Sequence, residues 1–262
     1  MSLRLYLDQP LSPDASFELP ADAARHVQVR RHQPGDELVL FDGRGGEWVA
    51  RVDEMGRRDV RVTVLRHDAQ VSRELPFDVV LALGMPANER MDALIEKATE
   101  LGVTAIVPLV SERSVLRLDG DRAIKRVAHW QAVAVGAAEQ SWRTAVPQIL
   151  PVQPMARFVA GLGPAAPGER RLVMSTGQAP ALAAVVSGLG GGSAAPTDGP
   201  ADTAPTRMRY ISLSGPEGGL APAEEAAAVA QGFHPISLGA RILRADTAPL
   251  AGLAQLALLH GV

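Results

Sequence analysis

The chain has 262 residues, of which 47% are hydrophobic, so it has room for one large domain or two moderate ones with a well-filled core. It contains no cysteine, which excludes disulfides and thiolate metal sites, and its net charge of −3 gives no global reason to expect nucleic acid as a partner. No apolar run approaches the roughly 18 residues of a membrane span, and the first residues lack the apolar stretch of a signal peptide, so we expect a cytoplasmic protein with no membrane partner.

Residues 1 to about 70 have the pattern of β-structure. Polar and apolar residues alternate at 51–53 and 59–64, as in half-buried strands, and the segment 42–46 is typical of a hairpin turn. One short helix, at about 21–31, interrupts the strands. Several short strands in so few residues predict a small barrel.

From residue 77 onward, apolar runs typical of buried strands alternate with helical patterns. A strand at 77–83 precedes a helix whose apolar residues recur at helical spacing and which Gly102 ends. A second strand at 103–107 precedes a long helix that Asp119 caps and that reaches about Trp142. Strand-like runs return at 172–174, 210–213 and 235–238. This alternation predicts an α/β domain with a mostly parallel sheet.

The segment 188–206 consists of Gly, Pro, Ala, Ser and Thr almost throughout. It cannot bury enough surface to offset the entropy of ordering, so we predict a flexible surface insertion. A functional lid is the alternative interpretation.

Two loops near the C-terminus are the most informative feature of the chain. One is Ser-Gly-Pro-Glu-Gly-Gly at 214–219, and the other spans 238–247. Each follows an apolar run and precedes a helical pattern, which places both at the carboxyl ends of strands, where open α/β sheets bind ligands. The glycines permit close backbone approach to a ligand, and Arg241 and Arg244 would face an anionic substrate. The alternatives are a plain chain reversal and an exposed ion-pair set.

Common nucleotide and metal motifs are missing from the sequence. No Gly-x-Gly-x-x-Gly follows a strand, and neither a P-loop nor a His-Glu-x-x-His motif occurs. The six histidines show no ligand spacing. We therefore expect no metal site and no nucleotide binding through the usual dinucleotide fingerprint.

Arginine accounts for all but two of the 26 basic residues. Arg25, Arg30 and Arg31 cluster with two histidines, and together with Arg4 they predict a phosphate-contact face. Residues 1–70 hold 10 Arg against 12 Asp and Glu, so any RNA contact there is a local patch. The alternatives are codon bias and a solvated helix end.

Five motifs together resemble one family. Three of them are Glu-Lys-Ala-Thr-Glu-Leu-Gly-Val at 96–103, Pro-Leu-Val-Ser-Glu-Arg-Ser at 108–114 and Ala-Glu-Gln-Ser-Trp-Arg-Thr-Ala-Val-Pro at 138–147, and the two loops complete the set. In this order they are similar to the RsmE family, bacterial methyltransferases that modify N3 of a uridine near the 3′ end of 16S ribosomal RNA. The resemblance covers nearly the whole chain apart from 188–206.

The resemblance implies a PUA-like RNA-binding barrel at residues 1–72 and a SPOUT methyltransferase domain at 73–262. A SPOUT domain carries a deep trefoil knot, a rare exception to the rule that chains do not thread loops. The resemblance further implies S-adenosyl-L-methionine as the methyl donor, bound in a bent pose within the knot. It also implies a homodimer that acts on 16S rRNA in the small ribosomal subunit. The apolar last helix suits both knot burial and a dimer face.

The resemblance also implies a role for particular residues. The cofactor would bind at Met174, Ser175, Leu213, Gly215, Gly218, Leu238, Gly239, Ile242 and Leu243. For catalysis we expect Arg244 near the methyl group and the target base, with Glu139 or Asp246 accepting the N3 proton. The resemblance adds Arg113 and Arg143 as RNA-binding residues to Arg4, Arg25, Arg30 and Arg31, which the arginine cluster already predicts.

The chain departs from the family pattern at several positions. Ala240 stands where proline is common, Asp246 replaces a glutamate, and Trp142 replaces a small or polar residue. Ala221 replaces a serine that would cap the following helix, which costs about 1 kcal/mol. None of these changes removes the expected cofactor pocket.

The leading hypothesis is direct methyl transfer to uracil N3, and three other functions stay open. The first is another SPOUT enzyme that modifies a ribose 2′-oxygen or transfer RNA. The second is a non-catalytic ribosome-binding factor. The third is a small-molecule enzyme on a doubly wound sheet.

Overall fold

The computed structural model describes residues 3–189 and 207–262, so the predicted insertion at 188–206 lies outside the described residues except for its first two positions. Contacts divide the chain into two units. The first comprises Met1–Glu74 and Val135–Val146, and the second comprises Leu75–Ala134 and Pro147–Val262. The domain limits of 1–72 and 73–262 stay a prediction. The contacts also group residues 135–146 with the first unit, which those limits do not include.

The described elements follow in chain order. The first unit contains β1 (Arg4–Tyr6), β2 (Ser16–Glu18), α1 (Ala21–Val29), β3 (Glu37–Phe41), β4 (Glu47–Met55) and β5 (Val60–Asp68). The second contains β6 (Asp78–Gly84), α2 (Asn88–Glu100), β7 (Ala105–Val110), β8 (Gln148–Ile149), β9 (Gln153–Pro154), α4 (Met155–Ala160), β10 (Glu169–Met174), α5 (Leu182–Gly188), β11 (Arg209–Ser214), α6 (Pro222–Ala230), β12 (His234–Ile236) and α7 (Thr247–Leu259). Helix α3 (Gly120–Gln140) starts in the second unit, and its last turns belong to the first.

The first unit is built on a five-stranded sheet in the order β1-β3-β4-β5-β2. β1 pairs with β3 in parallel, and the other pairs are antiparallel. Alternate side chains such as Leu40 and Val52 are buried, and α1 adds Val27 to the same core. The predicted β-rich unit with one helix is confirmed. The helix ends two residues earlier than predicted, and Arg31 beyond it adopts a positive φ of 60°.

The second unit is built on a seven-stranded parallel sheet in the order β12-β10-β11-β6-β7-β8, with β9 also paired to β7. Strand β6 is buried from Val79 to Leu83, as in a strand covered on both faces. α7 packs against α2 and α5, while α4 packs against α6. The predicted α/β fold is therefore confirmed. The sequence does not predict β8, β9 or α4, since elements this short carry little periodicity.

Gly102 ends α2 as the sequence predicts. Its φ is 94°, a conformation that favours glycine, and its N–H donates to the carbonyl oxygen of Thr99 at 3.0 Å. A Cβ at this position would lie 2.8 Å from Cγ of Leu75. Both the backbone conformation and the close packing therefore require glycine here.

The apolar last helix, α7, is only partly covered. It buries Leu253 and Leu256 and leaves Leu258 76% exposed. Neither α7 nor any other helix in 3–189 and 207–262 is both long and apolar enough to cross a membrane. Within the same residues, no group of three or more His, Asp and Glu side chains could hold a metal ion.

Candidate functional site

The carboxyl ends of three neighbouring strands form one edge of the sheet in the second unit. β10 lies between β11 and β12, so the chain passes from β11 across β10 to reach β12. The three strands end at Met174, Ser214 and Ile236, and Met174 is the register partner of Ile236. A crossover of this kind leaves a crevice beyond the strand ends, which is where α/β sheets bind ligands.

A cavity of about 520 Å³ lies at this edge. Its volume is within the range of sites for small molecules and cofactors. The wall is formed by three loops, at 174–177, 214–220 and 236–248, so the two predicted loops do enclose one cavity. The predicted cofactor residues that line it are Met174, Ser175, Gly215, Leu238, Gly239, Ile242 and Leu243.

Two predicted cofactor residues lie outside this lining. Leu213 is fully buried in β11, where it belongs to the core of the second unit. Gly218 faces Arg113, and a Cβ at Gly218 would lie 3.0 Å from Cβ of Arg113. Gly218 therefore lies on the side of the loop that packs against Arg113 and not on the side that lines the cavity.

Close backbone packing fixes the glycine loop at 214–219. A Cβ at Gly84, the last residue of β6, would lie 2.5 Å from the backbone nitrogen of Pro216. A Cβ at Gly215 would lie 2.6 Å from the carbonyl carbon of Gly219. Because the obstructing atoms belong to the backbone, neither position admits a side chain without movement of the loop.

Arg113 holds the glycine loop through the backbone. Its Nη1 donates to the carbonyl oxygens of Gly218 at 3.1 Å and Leu220 at 3.3 Å. The neighbouring N–H of Glu112 donates to Oε1 of Glu224 at 2.9 Å, and Oε2 of Glu224 accepts from the N–H of Ala221 at 3.0 Å. Glu224 thus accepts a backbone N–H at the start of α6, although Ala221 has no side-chain oxygen to cap the helix.

Replacing Arg113 by alanine is expected to weaken cofactor binding about tenfold. The change removes two charge-assisted hydrogen bonds to loop carbonyls, each worth about 1.5–3 kcal/mol when buried and less when exposed as here. Calorimetry with S-adenosyl-L-methionine, the methyl donor that the resemblance implies, measures the effect, and Arg113→Lys, which keeps the charge, should recover part of it. Unchanged cofactor affinity in Arg113→Ala would show that the loop does not depend on these bonds.

Two arginines at the cavity wall are available to a ligand. Arg241 and Arg244 are exposed, and neither forms an ion pair with another described residue. Glu217 is engaged elsewhere, since its Oε1 accepts from the N–H of Ala87 at 2.9 Å and lies 3.9 Å from Nη1 of Arg90. The exposed ion-pair set considered from the sequence is thus not seen, and two guanidinium groups remain for an anionic substrate.

Two buried oxygens near the cavity lack hydrogen bonds. Neither Oγ of Ser214, a lining residue that is 3% exposed, nor Oδ1 of Asp246 has a partner among the described residues. Leaving such a group unsatisfied costs about 1–3 kcal/mol. Ser214 lines the cavity, so a ligand there can supply the bond that its Oγ lacks, whereas Asp246 follows the lining residue Ala245 without lining the cavity itself.

Glu139 lies in the first unit. Its Oε1 accepts a hydrogen bond from the backbone N–H of Tyr6 at 2.9 Å. Burial raises the pKa of the Glu139 carboxyl above its usual value, while the Tyr6 bond and the charges of His26 and Arg4 limit that rise. A carboxyl with a raised pKa is suited to accept and hold a proton.

The raised pKa of Glu139 predicts a pH-dependent loss of stability. The native state holds the Glu139 proton more tightly than the unfolded state, so stability falls as pH rises from the usual pKa through the raised one. Glu139→Gln keeps the acceptor for Tyr6 and lacks this titration. In urea unfolding from about pH 4 to about pH 8, the wild type should lose stability relative to Glu139→Gln. Parallel curves for the two proteins would contradict the pKa rise.

The six predicted RNA-binding arginines differ in exposure. Arg25, Arg30, Arg31 and Arg113 are exposed, whereas Arg4 is 3% and Arg143 is 4% exposed. Nη2 of Arg4 donates to the carbonyl oxygen of Arg143 at 3.0 Å and lies 2.9 Å from Oε1 of Glu47. The Arg143 guanidinium binds the carboxylate of Glu74, with Nε 3.0 Å from Oε2. Arg4 and Arg143 therefore stabilise the first unit internally rather than present their charges to phosphates.

Trp142 contacts two arginine guanidinium groups of the first unit. Its φ is 65°, which is uncommon for a residue with a bulky side chain. The guanidinium carbons of Arg4 and Arg73 lie 5.3 and 5.2 Å from its ring centre. Cation–π contacts of about 0.5–2 kcal/mol each offset the backbone strain.

Comparisons with known proteins agree with this geometry. The RNA methyltransferase domain family matches residues 73–257, and the RNA methyltransferase PUA domain family matches residues 19–65. The chain is 32% identical to the ribosomal RNA small subunit methyltransferase E of Synechocystis, over 98% of this chain and 77% of the relative. It is 30% identical to that of Bacillus subtilis, over 95% of this chain and 92% of the relative.

A solved structure supports the same assignment. The crystal structure of a ribosomal RNA small subunit methyltransferase E from Neisseria gonorrhoeae, bound to S-adenosyl methionine, is similar to the chain with a TM-score of 0.83 and 34% identity. The similarity covers 99% of this chain and 98% of that one. The resemblance drawn from the five motifs is therefore confirmed. The chain belongs to the ribosomal RNA small subunit methyltransferase E family of RNA methyltransferases.

Proposed function

We propose that this protein transfers the methyl group of S-adenosyl-L-methionine to N3 of a uracil in the 16S rRNA of the small ribosomal subunit. The observation that carries the proposal is the cavity at the ends of β10, β11 and β12, which both loops enclose and which Arg244 lines. Membership of the family supports the same reaction class.

The residues of the cavity fit this methyl donor. Met174, Leu238 and Leu243 supply apolar wall for an adenine ring, and the glycine loop supplies backbone hydrogen-bonding groups. The partnerless Oγ of Ser214 supplies a further polar contact from a buried position. When bound, the cofactor provides a sulfonium whose methyl carbon is electrophilic.

The uracil must be unpaired and deprotonated at N3 for the transfer. In a duplex, N3 lies within the Watson–Crick pair, so the base has to be flipped or taken from a single strand. Loss of the N3 proton leaves negative charge on the ring. The Arg244 guanidinium, which has no ion-pair partner among the described residues, stabilises that charge, and Arg241 adds a second positive group to the same wall.

Two carboxylates are assigned as candidates for the proton acceptor. Asp246 follows Arg244 by two residues and has a buried Oδ1 without a partner in the described chain. Glu139 has a raised pKa through burial. The variants Asp246→Asn and Glu139→Gln separate them, because only loss of the true acceptor should depress turnover strongly.

The homodimer and the trefoil knot implied by the family resemblance are part of this proposal. Apolar side chains remain exposed on α7 and beyond it, with Leu258 76% and Val262 57% exposed. A second copy of the chain would cover such a face.

Methylation of small ribosomal subunits tests the proposed function. The protein is incubated with labelled S-adenosyl-L-methionine and subunits from a strain that lacks the modification, and the product nucleoside is identified by mass spectrometry. N3-methyluridine in 16S rRNA supports the proposal. A 2′-O-methylated nucleoside or methylated transfer RNA would instead support another SPOUT activity. If calorimetry showed no heat with the cofactor, a non-catalytic ribosome-binding factor would be the better description.

A further inference from the structure

We propose that the turn between β4 and β5 joins α1 in one surface that binds RNA phosphates. This α1–turn surface consists of Arg25, Arg30, Arg31, Arg57 and Arg58. The inference rests on the proposed function, since RNA is the substrate class named there. It adds the two turn arginines, which no sequence motif singles out, and it places all five on one patch.

A side-chain hydrogen bond brings the two segments together. Nε2 of Gln28, on α1 between Arg25 and Arg30, donates to the carbonyl oxygen of Gly56 at 3.0 Å. Gly56 directly precedes Arg57, and its N–H donates to the carbonyl oxygen of Asp59 at 2.9 Å, which closes the turn. The turn that carries Arg57 and Arg58 therefore lies next to α1 at Gln28.

The charges of this surface are available to a partner. All five arginines are exposed, and in the described part of the chain none of them forms an ion pair. Only Asp22 and Asp59 oppose them within 21–32 and 56–59. By contrast, the nearby Arg61 is neutralised, with Nη2 3.1 Å from Oε1 of Glu18. Positive charge is thus concentrated here in a unit whose first 70 residues carry more acid than base.

Helix electrostatics account for only part of this concentration. Arg30 and Arg31 follow the C-terminus of α1, where cations are favourable without any ligand. Arg25 lies in the middle of the helix, and Arg57 and Arg58 belong to a different element. Five unpaired guanidiniums on one patch fit the bidentate recognition of phosphate oxygens, with no base specificity implied.

A paired comparison of double variants tests the surface. Arg57→Ala/Arg58→Ala removes two charges from it, and Arg44→Ala/Arg66→Ala removes two exposed charges at the opposite end of β4 and β5. The nine-residue strand β4 separates the two ends by roughly 27 Å. Binding to small ribosomal subunits is measured between about 50 and 200 mM salt, with thermal unfolding as the check of folding.

Loss of two phosphate contacts should lower the slope of log affinity against log salt by about 1.4. The affinity loss of Arg57→Ala/Arg58→Ala should then be about sevenfold larger at the low-salt end than at the high-salt end. Arg57→Lys/Arg58→Lys should keep the slope, because the charge is kept. The proposal is contradicted if Arg57→Ala/Arg58→Ala binds the subunits like the wild type. It is also contradicted if Arg44→Ala/Arg66→Ala loses as much affinity as Arg57→Ala/Arg58→Ala.

Failure of this inference and failure of the proposed function give different results. If the subunits bind through the surface with the expected salt slope but no N3-methyluridine forms, the proposed surface is supported and the proposed activity is contradicted. If N3-methyluridine forms while Arg57→Ala/Arg58→Ala binds normally, the activity stands and the surface is wrong. Cofactor affinity, measured by calorimetry, should be the same in all these variants, since none of the changed residues lines the cavity.

Discussion

Alanine at Gly84 is expected to weaken binding of S-adenosyl-L-methionine about tenfold while the first unit stays folded. The new Cβ would lie 2.5 Å from the backbone nitrogen of Pro216 and 3.0 Å from the carbonyl carbon of Gly215, so the glycine loop has to move. Overpacking of this kind costs about 1–3 kcal/mol, and each 1.4 kcal/mol spent on the bound conformation is a factor of about ten in affinity. Isothermal calorimetry measures the loss.

Gly136 supplies the matched control for that experiment. A Cβ at Gly136, inside α3, would meet no heavy atom within 4 Å. Gly136→Ala should therefore raise stability by up to about 1 kcal/mol and leave cofactor affinity unchanged. If Gly84→Ala bound the cofactor with wild-type affinity, cofactor binding would not depend on the position of the glycine loop.

Alanine at Arg244 is expected to lower the turnover number about 100-fold or more. Arg244 lines the cavity, and in the proposed reaction its guanidinium is the group that stabilises the negative charge forming on the uracil ring. Cofactor affinity should change little, because an interaction made only with the developing charge does not contribute to ground-state binding. Single-turnover methylation of small subunits, with cofactor binding measured separately, distinguishes the two effects.

Arg241 is the control within the same loop. It is also exposed and also lines the cavity, three residues before Arg244. Arg241→Ala should reduce turnover less than Arg244→Ala if the position of the charge matters rather than the total charge. Should Arg244→Ala mainly raise the cofactor dissociation constant, Arg244 would be a pocket residue and not a catalytic one.

The cavity could be largely predicted from the sequence because its signals are local. Each of the two loops sits between an apolar run and a helical pattern, and this order alone places them at strand ends. The alternation of elements likewise predicts the parallel sheet. The strand order, in which β10 separates β11 from β12, depends on pairing between distant segments, and no local pattern contains it.

The parts of the site that sequence does not predict depend on distant contacts. The side chain of Arg4 is chemically suited to bind phosphate, yet it is buried and bonds to the backbone of Arg143, 139 residues away in the chain. Arg113 belongs to a motif implied to contact RNA, yet its guanidinium bonds to carbonyls of the glycine loop. Gly218 belongs to the glycine loop and lies against Arg113 instead of lining the cavity. A side chain's chemistry limits its possible roles, and its partners in space decide among them.

The position of β10 has a consequence for the nascent chain. The third wall of the cavity comes from residues 236–248, which begin at the last residue of β12 and follow β10 and β11 in the chain. During translation, a nascent chain that does not yet include these residues therefore lacks one wall of the cavity. We therefore expect a chain truncated before residues 236–248 to bind no cofactor and to leave rRNA unmethylated.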